Sequence, residues 1–167
     1  MTKTPVEKAF TIDTSSIKFG PGITNEAGFE LSRLAAKRVM VVTDRKIADS
    51  HAVKSATESL RREGIDHTIF DQVSIEPTDD SLKNAISFAI EGKFDGFLAV
   101  GGGSSIDTAK AANLYSTYPA DFLEYVNAPI GKGTPVPGDL KPLVAVPTTI
   151  GTGSETTSVA IFDFKDI

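Results

Sequence analysis

Three consecutive glycines, Gly101, Gly102 and Gly103, stand directly between an apolar run, Gly96-Phe-Leu-Ala-Val100, and a helical pattern that starts at Ser105. Each glycine costs roughly 0.5–1 kcal/mol relative to Ala in regular structure. A tight strand-to-helix turn needs only one. The usual compensation is access: a loop without Cβ atoms lets a pyrophosphate reach backbone N–H groups at a helix N-terminus. Ser104 is a good N-cap, and Asp107 three residues on would complete a capping box. The run is neither G-x-G-x-x-G nor the Gly-Lys-Ser/Thr phosphate loop, so nucleoside triphosphate hydrolysis has little support.

The surrounding chain alternates strands with helices. Phe10–Thr14 and Ser16–Gly20 read as a short β-hairpin, and Thr24 is placed to cap a helix over Asn25–Ala36. Arg38-Val-Met-Val-Val-Thr43 is the continuous β-branched run of a strand buried on both faces. A helix follows from Ala48 to Glu63, stopped by Gly64. Next come a strand over His67–Phe70, a helix from Thr78 or Asp79 through Ile90 closed by Gly92, the strand Gly96–Val100, and a helix to about Tyr115. A Pro/Gly-rich loop, 128–141, precedes a fourth buried strand, Leu143-Val-Ala-Val-Pro147, and Ser158–Phe164 begins another. Helices of ten or more residues between strands predict βαβ units, hence an α/β fold with a doubly wound, mostly parallel, Rossmann-like sheet. A strand starting so close to Ile167 leads us to expect the chain to continue in the intact protein.

Two further features sit at strand ends. Asp44 follows the strand that ends at Thr43. An acid there often accepts the ribose 2′-OH bond and would repel a 2′-phosphate, favouring NAD over NADP; position alone equally fits a helix-initiating Asp. The loop Pro147-Thr-Thr-Ile-Gly-Thr-Gly-Ser-Glu155 carries hydroxyls at Thr148, Thr149, Thr152 and Ser154 that could face a ribose or phosphate. Taken alone it could be a turn before a capped helix. Two small-residue loops at the carboxyl ends of parallel strands are the usual ligand crevice of an open α/β sheet, which points to a dinucleotide.

Composition excludes several alternatives. Net charge is −5 and the 17 Lys and Arg are scattered, which argues against a nucleic-acid backbone as partner. Without cysteine there are no disulfides, thiolate nucleophiles or Cys-based zinc sites. The apolar runs are too short to span a bilayer, and Met1–Phe10 lacks the apolar core of a secretory signal. The expectation is a soluble cytoplasmic protein, with a homo-oligomer left open.

Read together, Gly101-Gly-Gly-Ser-Ser-Ile-Asp-Thr-Ala-Lys110 and Pro147-Thr-Thr-Ile-Gly-Thr-Gly-Ser-Glu-Thr156 closely resemble the two signatures of iron-type (group III) alcohol dehydrogenases. The resemblance covers the chain from about Phe10. It implies a dinucleotide-binding, dehydroquinate synthase-like N-terminal α/β domain, followed by a helical domain holding Fe²⁺ or Zn²⁺ that this chain lacks. By the same resemblance Gly101, Gly102, Gly103 and Ser104 hold the pyrophosphate, and Thr148, Thr149 and Thr152 line the adenine and ribose side. Asp107 lies near the nicotinamide, and Asp44 binds the adenosine ribose. Glu76-Pro-Thr-Asp79, Lys110–Tyr115, Asp121–Gly133 and Val159–Asp163 resemble the hydroxyacid-oxoacid transhydrogenase branch. That branch moves a hydride from 4-hydroxybutyrate to 2-oxoglutarate and is mitochondrial in eukaryotes. Glu76, where many relatives carry Asn, supports this branch.

The family's metal is held by one Asp and three His. This chain has two histidines, His51 and His67, too far apart and without carboxylates at ligand spacing. We expect the cofactor to be NAD, no catalytic or metal residue in this chain, and no turnover by residues 1–167 alone. Sugar-phosphate cyclases such as dehydroquinate synthase share the glycine run but differ in the second loop. An alcohol or glycerol dehydrogenase, or a nucleotide-binding module without chemistry, are the remaining readings.

Overall fold

Val39, Met40, Val41 and Val42, and all of Phe97–Val100, are fully buried, so their strands must be covered on both faces. The structure, a computed structural model, describes residues 15–165. It has four parallel strands, β1 (Arg38–Val42), β2 (Asp66–Phe70), β3 (Gly96–Gly101) and β4 (Leu143–Pro147), in the order β2-β1-β3-β4. The helices are α1 (Ala27–Arg33), α2 (His51–Arg62), α3 (Asp79–Gly92) and α4 (Gly103–Thr117). Strand alternation sorts the core. Val39, Val41, Leu98 and Val100 meet Leu31, Val53, Ala56 and Leu60 of α1 and α2. Met40, Val42, Phe97 and Ala99 meet Ala85, Ala89, Ile106 and Ala109 of α3 and α4. Full burial of one such Val, Leu or Phe contributes about 1.5–3 kcal/mol. The expected doubly wound α/β sheet is present, with β1 and β3 at its centre.

Several local expectations are corrected. Phe10–Thr14 lies outside the described residues, and Ser16–Gly20 forms no strand: Ile17 and Phe19 project from the surface and nothing described pairs with them. The first helix does not run over Asn25–Ala36 from a Thr24 cap. Gly22, at φ 76°, instead starts a 3-10 turn, Ile23–Glu26, that leads into α1. Ala35, at φ 64°, ends it early, because Ala36 must turn in beneath Gly96. Helix α2 starts three residues late, at the Ser50 cap, while Gly64 at φ 68° ends it as expected. Gly92 stays inside α3, and Lys93 takes the left-handed position. Gly92 is needed because a Cβ there would lie 2.0 Å from the Phe94 ring. Strand β4 is half-buried rather than buried, being an edge of the sheet. Residues 158–164 form no strand beyond one bridge, Thr78 to Asp163.

Charges tie the amino ends of the strands. The Asp95 carboxylate accepts from the backbone N–H groups of Lys37 and Arg38 at 2.8–3.1 Å. Arg38 bonds the Gly92 carbonyl at 2.8 Å and pairs with Asp66. At the α3 N-terminus Thr78 and Ser81 cap each other. Beyond α4, Phe122 stacks on Tyr115 at 5.5 Å and meets the Phe162 ring edge-on at 5.5 Å, so an aromatic cluster gathers the loop after α4 and the end of the chain.

Helices α1 and α2 touch through Gly28, whose N–H donates to Ser59 Oγ at 2.8 Å. A methyl at Gly28 would lie 2.2 Å from the Ser59 carbonyl oxygen. Gly28→Ala is therefore expected to destabilise the fold by about 1–3 kcal/mol, read as a lower urea midpoint at unchanged slope. Burial pushes the Tyr115 phenol up to about 12, aided by Tyr125 and Asp121. Its folded form keeps the proton longer than the unfolded one, so stability falls between the ordinary tyrosine range and about pH 12. Tyr115→Phe should flatten that part of the stability–pH curve, followed by alkaline unfolding.

Candidate dinucleotide site

The pairing register sets three loops side by side. Val42 is level with Ala99 and Gly101 with Pro147, so Asp44, Gly101 and Pro147 occupy one row across β1, β3 and β4. The Thr148 N–H donates to the Gly101 carbonyl at 2.9 Å, extending the ladder by one bond. The chain order reverses between β1 and β3, and open α/β sheets bind ligands at the carboxyl ends of the strands at such a point.

None of the three glycines in the run has a positive φ; what marks them instead is the close approach of other side chains. A Cβ on Gly101 would lie 2.2 Å from Ser105 Oγ, and one on Gly102 would lie 3.0 Å from Thr149 Oγ1. On Gly103 it would meet Ser154 Oγ at 3.1 Å and Thr152 Cβ at 3.3 Å. The two small-residue loops expected from the sequence therefore touch. In the second loop Gly151 and Gly153 serve differently, at φ 99° and 71° with open space around them. Thr148, Thr149 and Thr152 are exposed and Ser154 is half-buried.

Ser104 does not cap α4. The N-cap is Gly102, no side chain caps it, and the expected Ser104–Asp107 box is not formed. The helix begins two residues earlier than its sequence pattern implies, which puts Ser104 inside the first turn. The first-turn N–H groups of any helix lack intrahelical acceptors. Left uncapped by a side chain and carrying the positive end of the helix dipole, they suit an anion. Asp107 faces elsewhere. It is 6% exposed, and its Oδ2 accepts from the Ile161 N–H at 3.1 Å. Its Oδ1 stands 3.6 Å from Lys110 Nζ. Asp44 is half-buried, and its Oδ1 accepts from the Lys46 N–H at 2.9 Å, which shapes the turn after β1.

Lys110, quoted in the first signature but given no role there, is drawn into the same region. Its Nζ donates to the Val159 carbonyl at 2.7 Å and to Thr157 Oγ1 at 3.2 Å. Burial lowers its pKa below the ordinary lysine value, while Asp107 and Glu155 pull it back up. The i,i+3 spacing of Asp107 and Lys110 on one helix is the signal that would have found it.

Among the described residues no three His, Asp or Glu side chains gather as a metal site. His51 is exposed beside Ser55, and His67 is half-buried near the Ile65 carbonyl. A shallow groove of about 550 Å³ runs along α2, lined by Asn25, Lys54, Glu58 and Arg61 among others, and includes none of the residues of the two glycine-bearing loops. Among the described residues no helix is long and apolar enough to cross a membrane.

The family model of the iron-containing alcohol dehydrogenases matches residues 14–166. The mitochondrial hydroxyacid-oxoacid transhydrogenase of Bos taurus is 55% identical over 160 residues, covering 95% of this chain and 34% of the bovine protein. The Homo sapiens protein of the same name is 52% identical, with the same coverage. This chain thus spans little more than a third of the length of these curated relatives. Among solved structures, an alcohol dehydrogenase from Oenococcus oeni superposes with a TM-score of 0.81 at 30% identity, over 95% of this chain and 41% of that one. A 1,3-propanediol oxidoreductase gives 0.79 at 30% identity, over 90% of this chain and 38% of that one. With its sheet, its pair of small-residue loops and a family match over nearly its whole length, this chain belongs to the iron-containing alcohol dehydrogenases.

Proposed function

We propose that this chain binds a nicotinamide dinucleotide across the carboxyl ends of β1, β3 and β4. The observation that carries this is the contact of the two glycine-bearing loops beside the uncapped N-terminus of α4. In this reading the backbone N–H groups of Gly102, Gly103 and Ser104 receive the pyrophosphate, with Gly101 setting the turn. Thr148, Thr149, Thr152 and Ser154 offer hydroxyls to the adjoining ribose and phosphate. Asp44, level with Gly101 on the neighbouring strand, accepts the adenosine ribose hydroxyls and disfavours a 2′-phosphate, so NAD is preferred to NADP. Asp107, assigned by the family resemblance to the nicotinamide side, would act there indirectly, since its Oδ2 holds the Ile161 N–H.

For the whole protein we propose hydride transfer between a small hydroxyacid or alcohol and an oxoacid, in mitochondria. This reading rests on the identity with the mitochondrial hydroxyacid-oxoacid transhydrogenases. When bound, the nicotinamide ring accepts the hydride and gives it up again. This chain's residues hold and orient the cofactor. Among the described residues they do not fit the Fe²⁺ or Zn²⁺ of the family, since no three His, Asp or Glu side chains gather there.

Calorimetric titration with NAD and with NADP tests the reading. NAD should bind more tightly than NADP. Loss of hydrogen bonds to a charged acceptor in Asp44→Ala should weaken NAD by roughly ten- to a hundredfold and narrow the gap to NADP. If neither nucleotide binds the chain, the reading is wrong for these residues. Equal loss for NAD and NADP would remove Asp44 from the ribose.

A further inference from the structure

After the 3-10 turn Ser154–Thr156 the chain runs along α4 as a segment, 157–161, with no strand partner among the described residues. Side chains of α4 fasten it. Lys110 Nζ takes the Val159 carbonyl at 2.7 Å and the Thr157 hydroxyl at 3.2 Å. Asp107 Oδ2 takes the Ile161 N–H at 3.1 Å. Thr157 and Val159 themselves are exposed, with Val159 at 52%. The attachment is therefore polar and made from the helix side.

The cost of this arrangement argues for a purpose. A lysine side chain left only 16% exposed gives up most of its water, and Asp107 Oδ1 beside it is buried with no hydrogen bond among the described residues. Fixing an exposed segment does not require buried charge, since apolar packing would be cheaper. What the charges secure is position. Thr152 and Ser154, immediately before the segment, lie against Gly103 at the mouth of α4. Lys110 lies seven residues further along the same helix, about 10 Å of rise. One rigid helix thus carries the pyrophosphate cradle at its tip and the anchor of the opposing loop two turns below.

We propose that Lys110 is a positioning residue of the dinucleotide site: it holds segment 157–161 to α4 and so sets the distance between the Thr152–Ser154 wall and the Gly102–Gly103 cradle. This rests on the dinucleotide reading above. It assigns Lys110 no contact with the nucleotide. Asp107 is the partner that keeps the ammonium in place and the second tie on the same segment.

The test uses the chain as it is, with NADH as the probe followed by its fluorescence, and backbone hydrogen exchange as a second readout. Lys110→Met keeps the length of the side chain and removes its donors. NADH affinity should fall by about tenfold or more, the cost of charge-assisted bonds lost from a partly buried site. Exchange should speed up at residues 152–161 and stay unchanged in β1 and β3. The double variant Lys110→Met/Asp107→Asn removes the stranded carboxylate charge and should recover thermal stability without recovering affinity. Recovery of both would overturn the proposal, because Lys110 would then serve only to neutralise Asp107. Unchanged affinity and exchange in Lys110→Met would overturn it too. Wild-type chain that fails to bind NADH would bring down the dinucleotide reading and this proposal together. Wild-type binding with an unaffected variant brings down the proposal alone.

Discussion

The absence of side chains along Gly102–Gly103 is the constraint on which the site depends. Because no Cβ intervenes, Thr149, Thr152 and Ser154 come into contact with the turn between β3 and α4. That contact joins loops separated by more than forty residues of sequence, and it works only because the strands beneath are in register. The register in turn follows from β1 and β3 being buried on both faces, since a one-residue slip would turn each of their side chains to the wrong layer.

Much of this was legible in the sequence, for reasons that differ by element. Val39–Val42 and Phe97–Val100 declare themselves because a strand covered on both faces has no polar positions. Gly64 was readable as a helix stop because its conformation is local to it. The glycine run was readable as a place of close approach, but the occupant of the space was not. A Cβ on Gly101 would collide with Ser105, whereas on Gly102 and Gly103 it would only crowd Thr149, Thr152 and Ser154, so packing accounts fully for the first glycine alone.

What was misread depended on tertiary partners. Ser104 has the right chemistry for a cap, yet the helix starts above it at Gly102, because the ladder between β3 and β4 continues through Gly101 and sets where the turn begins. Gly92 looks like a helix terminator and instead makes room for the Phe94 ring. Lys110 stands in the first signature, and the sequence alone gives it no role. Only the folded chain brings the Val159 carbonyl to it, across 49 residues. The extended pattern of 158–164 is genuine, but the described residues offer it Thr78 at a single bridge and no neighbouring strand.

The two ends of the sheet are chemically unlike. At the amino ends, one carboxylate, Asp95, grips two successive backbone N–H groups, and Arg38 ties the start of β1 to the end of α3. At the carboxyl ends, threonines, serines and glycines meet with few charges among them. A chain built this way can be rewritten at its upper rim without loosening its foundation. Substitutions there would alter what is held and how firmly, while the strands stay anchored from below.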